Sequence, residues 1–363
     1  MNRGFSLWLD VLRVLATVTV VISHWAYPRF TNGDYILIRE WNLGSDAVIV
    51  FFVISGLVIA YAAGRDKDGT TFTFNRLTRL WSVLVPALLL TFLFDRIGYG
   101  IRPDAYPSQF YHIHGFGEFM LRGASFSNEF RLFDRMRLGT NGPLWSLSYE
   151  AAYYALFAAA MYLSGIKRYV VLGAIVALVG VPILLLMPAW LMGVFVWHAV
   201  REGRLVPQSA FLALILALGG PLLYTVGIGT GLPMALREMT AAALDVPDTR
   251  SLIGFSDELI WNAIIGALTS MHLFGMARLC QSRTSDIAWI RWAAGASFSV
   301  YVTHYPTLHL LDAILPEPMA GRYVILITAP FIVGLLFAAI FERNLKAFRA
   351  AFGRLRPNAS AAQ

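Results

Sequence analysis

Apolar residues fall in long runs separated by short polar stretches, and the runs predict helices of membrane-crossing length. Ten runs cover residues 7–28, 44–64, 77–98, 142–164, 168–186, 188–200, 208–227, 257–279, 291–312 and 321–341. A helix needs about 20 predominantly apolar residues to cross a bilayer. The fifth and sixth runs are the weakest. The stretch VLGAIVALVGVPILLLMPAWLMGVFVWHAV fits two short spans broken at Pro182 and Pro188, or one bent span, which lowers the count to nine. The first run is longer than the apolar part of a cleaved signal and no small-x-small site follows it, so it is read as a permanent span. The pattern predicts an all-α, polytopic integral membrane bundle over 1–345. A basic tail follows over 346–363, disordered at its Ala-rich end.

Charge gives the bundle a direction. With the N-terminus inside, most of the 29 Lys and Arg fall on cytoplasmic segments. They cluster at Arg65–Arg79, Lys167 and Arg168, Arg201 and Arg204, Arg278–Arg291 and Arg343–Arg356. The excess predicts cytoplasmic N- and C-termini. Two predicted outer loops, 99–141 and 228–256, are long. The first contains YPSQFYHIHGFGEFML, with His112, His114 and several aromatics. It fits either a loop folded over the helix ends or a surface that meets a polar acceptor.

Composition agrees with this class. Hydrophobic residues make up 57% and charged residues 14%, with a mean hydropathy of +0.61. A soluble chain of that balance lacks the polar surface to cover its core. The net charge of +7 is assigned to cytoplasmic loops, and no nucleic-acid partner is expected. The single cysteine, Cys280, excludes an internal disulfide and any cysteine-based zinc or iron–sulfur site, so no metal is expected.

The ionisable residues inside the spans carry the chemistry. In LDVLRVLATVTVVISHWAYP, Asp10, Arg13 and His24 interrupt the first run. Arg13 and His24 are eleven positions apart, a helical rise of about 16 Å with an offset of only about 20°. Asp10 lies three residues before Arg13, within pairing reach. The three form one polar stripe, which must face the bundle interior or a water-filled cavity. Arg76 and Arg79, in FNRLTRLWSVLVP, share a face at the cytoplasmic boundary. They fit positive-inside anchoring or a forked phosphate site. Glu150, in NGPLWSLSYEAAYYALF, enters the fourth span from its outer boundary and needs a partner there. His304 lies between Tyr301 and Tyr305 in ASFSVYVTHYP, where helix packing and catalysis both fit. Ser55–Gly56 reads as close helix approach before chemistry.

Taken together, these stretches resemble acyltransferase family 3, a family of membrane O-acyltransferases. The likeness is carried by LDVLRVLATVTVVISHW, FFVISGLVIA, NRLTRLW, LWSLSYEAAYY and SFSVYVTHYP, in the expected order from residue 9 to residue 306. Arg13 and His24 match the family's Arg–His pair with Asp10 before it, and Arg76 and Arg79 match its paired arginines. One departure is Ala151, where the family has a second acid after Glu150. The resemblance implies transfer of an acyl group, usually acetyl from acetyl-CoA, to a hydroxyl of an extracytoplasmic glycan, lipid-linked sugar or small product. It also implies residence in a bacterial inner membrane, with membrane lipid, acyl-CoA and the acceptor as partners and no permanently bound cofactor.

On this reading Arg76 and Arg79 meet the CoA phosphates at the cytoplasmic mouth. His24 acts as general base or as acyl carrier. Arg13 and Asp10 hold the stripe or contact the donor, and Glu150 orients the acceptor or His24. His304, Tyr301 and Ser55 are secondary candidates. A secondary transporter with a polar path through the bundle is the rival class, although no internal repeat is evident. A membrane sensor or scaffold is a second rival.

Overall fold

The computed structural model describes residues 1–282 and 286–353; Arg283, Arg354, Arg356 and the Ala-rich end lie outside them. Among the described residues every regular element is helical. Ten principal helices follow the ten apolar runs. They are α1 (Arg3–Trp25), α2 (Leu43–Ala63), α3 (Gly69–Ile101), α4 (Trp145–Tyr162), α5 (Gly165–Val179), α6 (Met187–Arg201), α7 (Ala210–Gly229), α8 (Leu259–Leu279), α9 (Ser297–Ile314) and α10 (Arg322–Phe337).

Six stretches are long and apolar enough to cross a membrane: Arg3–Trp25, Leu43–Ala63, Gly69–Ile101, Ala210–Gly229, Thr249–Leu279 and Arg322–Gly353. That is fewer than the ten expected. Helices α5 and α6 have 15 residues each, about 22 Å of rise against a hydrocarbon core of about 30 Å.

Local chemistry sets the helix limits. Asn2 caps α1 through the Phe5 amide at 2.7 Å, and Asp68 caps α3 through the Thr71 amide at 2.7 Å. Between α5 and α6 the chain breaks at Gly180, in the positive-φ region at 82°. It forms the short helix Val181–Leu185 and then restarts. Pro182 and Pro188 sit in the first turns of the segments that follow each break, where a missing N–H costs nothing. Two 15-residue helices with a shorter one between them therefore occupy the region that one bent span also fitted. The predicted loop 228–256 contains the helix Leu232–Leu244, and the predicted tail begins as the helix Leu345–Gly353.

Helix α2 is central and packs on α1, α6 and α8. Its crossing with α6 is close on both sides. A Cβ at Gly56 would fall on the Trp190 carbonyl, and one at Gly193 on the Val53 carbonyl. Helix α9 packs on α1, α3 and α10, and every residue from Ser299 to His309 is buried. By contrast α7 presents Phe211 and Leu222 outward, 74% and 64% exposed, as a lipid-facing helix does.

Candidate active site

The stripe on α1 has a single facing partner. Asp10, Arg13 and His24 all meet the segment formed by the helix Ala288–Ala294 and α9. Asp10 accepts from Arg291 at 2.7 Å and lies 3.6 Å from Arg13. Arg13 donates to the Ser297 hydroxyl at 3.3 Å. His24 Nδ1 and His304 Nε2 are 2.9 Å apart. The partners at 291, 297 and 304 recur every six or seven residues, so two helical faces meet along matched polar rows.

A cavity of about 230 Å³ opens beside this seam, bounded by α1, α2, α3, α4 and α9. Arg13, Arg76, Arg79, Glu150, Ser55 and Tyr301 all line it. The two arginines expected to form a fork therefore share one wall. Each is also steadied by a carboxylate that the sequence reading did not single out. Arg76 lies 3.6 Å from Asp66, and Arg79 donates to Glu342 at 2.6 Å. Glu342 in turn accepts the amide and the hydroxyl of Ser299. The Nε of Arg76 is buried and makes no hydrogen bond among the described residues.

Glu150 was expected near the outer boundary, beside an acceptor or His24. The structure instead sets it in this cavity with the arginines, because five residues of α4, about 7.5 Å of rise, carry it inward. One of its oxygens accepts the Ser55 hydroxyl at 2.5 Å and the Tyr154 hydroxyl. The Trp190 indole donates to Ser55 at 3.3 Å. Ser55 thus belongs to the cavity, while its neighbour Gly56 makes the close helix approach.

Tyr301 adjoins both parts of the site. Its hydroxyl donates to the Pro143 carbonyl at 2.9 Å and shares a hydrogen bond with Ser146 at 2.7 Å. Its own carbonyl accepts from His304 Nδ1 at 2.6 Å. A carbonyl only accepts, so Nδ1 of His304 carries a proton. With both rings neutral, His304 Nε2 must then accept from His24 Nδ1. The row fixes the tautomer of His24 and leaves its Nε2 lone pair uncommitted among the described residues. An imidazole in that state can take a proton or attack an electrophile.

His112 and His114 stand apart from the cavity, beside a small hollow near Asp95 and Arg96. Among the described residues no three His, Cys, Asp or Glu side chains are placed to hold a metal ion. Asp66, Glu342, Arg291, Ser297, Tyr154 and Ser146 were not reached from the sequence. The first two had one available signal, each being an acid close to a predicted cytoplasmic boundary.

Residues 6–341 match a family described as an acyltransferase domain. The chain is 22% identical to the peptidoglycan O-acetyltransferase OatA of Listeria monocytogenes, over 95% of this chain and 56% of that protein. It is 35% identical to the acyltransferase MdmB of Streptomyces mycarofaciens, over 41% of this chain and 37% of that one. With an O-acetyl transferase of Shigella phage Sf6 it shares 28% identity, over 45% of this chain and 48% of the phage protein. The chain spans about half the length of the curated relatives it matches. No solved structure matches it.

Proposed function

The chain belongs to acyltransferase family 3, and from that premise we propose that it transfers an acyl group, acetyl in the simplest case, from cytoplasmic acyl-CoA to a hydroxyl on an extracytoplasmic glycan, lipid-linked sugar or secreted metabolite. It does so from a bacterial inner membrane, with ten helices crossing or entering the bilayer and both termini cytoplasmic. The observation that carries the reading is the shared cavity of Arg13, Arg76, Arg79 and Glu150, joined through Tyr301 to a histidine with a free lone pair. Two relatives, both O-acetyl transferases by name, support acetyl as the group moved.

The chemistry follows from the geometry. Arg76 and Arg79 are partly exposed at the cavity wall and suit the phosphates of CoA, which guanidinium binds bidentately. The cavity admits the narrow thioester end of the donor, with the nucleotide left outside. His24 Nε2 removes the proton of the acceptor hydroxyl as its oxygen attacks the thioester carbonyl. The C–O bond forms, the C–S bond breaks, and the proton returns from His24 to the departing thiolate. His304 holds the His24 tautomer that permits this. Arg13, anchored by Asp10 and Ser297, lines the cavity on the donor's path and contacts the donor there.

Inverted membrane vesicles supplied with labelled acetyl-CoA test the donor side. Arg76→Ala with Arg79→Ala should raise the apparent KM for acetyl-CoA by about a hundredfold, as loss of two charge-assisted contacts implies. An unchanged KM at normal protein level removes the phosphate-site reading. Substrate uptake without acetyl-CoA consumption would instead identify the transporter.

A further inference from the structure

Beyond His24, the bundle gathers three arginines that form no ion pair among the described residues. Three segments meet there: the short helices Pro28–Thr31 and Ile36–Glu40, and the loop between α3 and α4. The Tyr27 ring carries two guanidiniums, Arg39 at 4.4 Å and Arg29 at 4.9 Å from its centroid. The Phe110 ring carries Arg29 at 4.0 Å and Arg137 at 5.5 Å. Arg29 therefore adjoins both rings. Tyr27 also stacks on His24, with 6.0 Å between centroids. One aromatic ring separates the candidate base from Arg29 and from Arg39.

The contrast with the other side of the site is one of neutralisation. Arg13, Arg76 and Arg79 each pair with a carboxylate. Among the described residues, Arg29, Arg39 and Arg137 form no ion pair. Nη1 of Arg29 and Nε of Arg137 are buried and make no hydrogen bond. Arg39 donates only to Ser23 and Asn42, both neutral. All three side chains stay partly exposed, so a solute can reach them. Like charges gathered over two rings repel, and unpaired buried donors cost free energy, so an anion would stabilise the arrangement. Guanidinium forks of this kind fit a carboxylate or a phosphate.

We infer that Arg29, Arg39 and Arg137 form an anion subsite for the acceptor, which carries a carboxylate or phosphate on the sugar bearing the reacting hydroxyl or on its neighbour. The short reach from His24, one ring away, sets that limit. The inference rests on the proposed acyl transfer, because it takes His24 as the reacting centre.

The test uses the full-length protein in vesicles, labelled acetyl-CoA, and the strain's own cell-surface glycan fraction as acceptor. Mass spectrometry should find the acetyl group on or next to an anionic residue. Arg29→Gln with Arg137→Gln should raise the apparent KM for the glycan about tenfold or more, while the affinity for acetyl-CoA stays unchanged. The matching Lys variants should retain most of the glycan affinity. The loss should be equal in phosphatidylcholine and phosphatidylglycerol vesicles. A neutral acetylated residue, or an unchanged KM for the glycan, overturns the subsite while leaving acyl transfer standing. A loss confined to phosphatidylglycerol vesicles assigns the arginines to lipid headgroups and also overturns it. No transfer to the glycan fraction by the wild-type protein overturns this inference, and if there is no transfer to the secreted-metabolite fraction either, the acyl-transfer reading is overturned with it.

Discussion

His24 ends a short row of hydrogen bonds, and the row gives the residue its chemistry. The Tyr301 carbonyl orients His304, and His304 orients His24. A positioning role for His304 makes a specific prediction. His304→Ala should cut acyl transfer by about tenfold to a hundredfold, with the donor affinity unchanged and the pH profile displaced, because the His24 tautomer is no longer held. A purely structural role would lower the amount of folded protein and leave the pH profile where it was. A second residue tests the loop over the bundle. Burial pushes the Glu129 carboxyl up to about 7, against the pull of the Arg135 and Arg250 guanidiniums. The folded state holds that proton more tightly than the unfolded chain, so stability falls as pH rises from about 4.5 through about 7. Glu129→Gln should therefore gain little near pH 4 and on the order of 2–3 kcal/mol at pH 8, read from thermal unfolding in detergent. A gain that does not change with pH contradicts this. The arginines, His24 and Glu150 were legible in the sequence because ionisable groups in apolar runs are costly and so conspicuous. Glu342 was not, because its role exists only once it meets Arg79, 263 positions away.

The helices were legible where hydropathy alone decides. All ten apolar runs coincide with helices, and the break between α5 and α6 falls at the glycine and prolines that the chain offers there. Helix Leu232–Leu244 was missed because it lies in a stretch too polar to register as a span. What the sequence could show of the stripe was its geometry on α1, not the helix that faces it. Its partners at Arg291, Ser297 and His304 come from the other end of the chain. Ser55–Gly56 was read as a close approach, and the α2–α6 crossing is one, with Gly193 as its counterpart. Gly193→Val should destabilise the protein by about 3 kcal/mol or more, since the added carbons meet backbone that cannot yield. Thermal unfolding in detergent measures this, and an unchanged transition would show that α2 and α6 can separate at no cost.

At the scale of the whole molecule, a cavity and a cluster of arginines flank one seam. Paired arginines line the cavity on one side of Tyr301, and unpaired arginines cluster on the other side of His24. The proposed sidedness follows from the excess of Lys and Arg on the segments assigned to the cytoplasm. It is checked with single cysteines placed in a Cys280→Ser background. Asn2→Cys and Lys346→Cys should react with an impermeant maleimide only in inverted vesicles, and Ser108→Cys only in intact cells. The opposite pattern would invert the roles of the cavity and the arginine cluster. The central claim is that His24 is the base of an acyl transfer to an extracytoplasmic hydroxyl. Its most direct test is mass spectrometry of surface glycans and secreted metabolites from three strains: a deletion, its wild-type complement and a His24→Ala complement. The account predicts a product one acyl group heavier in the wild-type complement alone, with both proteins present in equal amounts. The same product in the His24→Ala strain would contradict it.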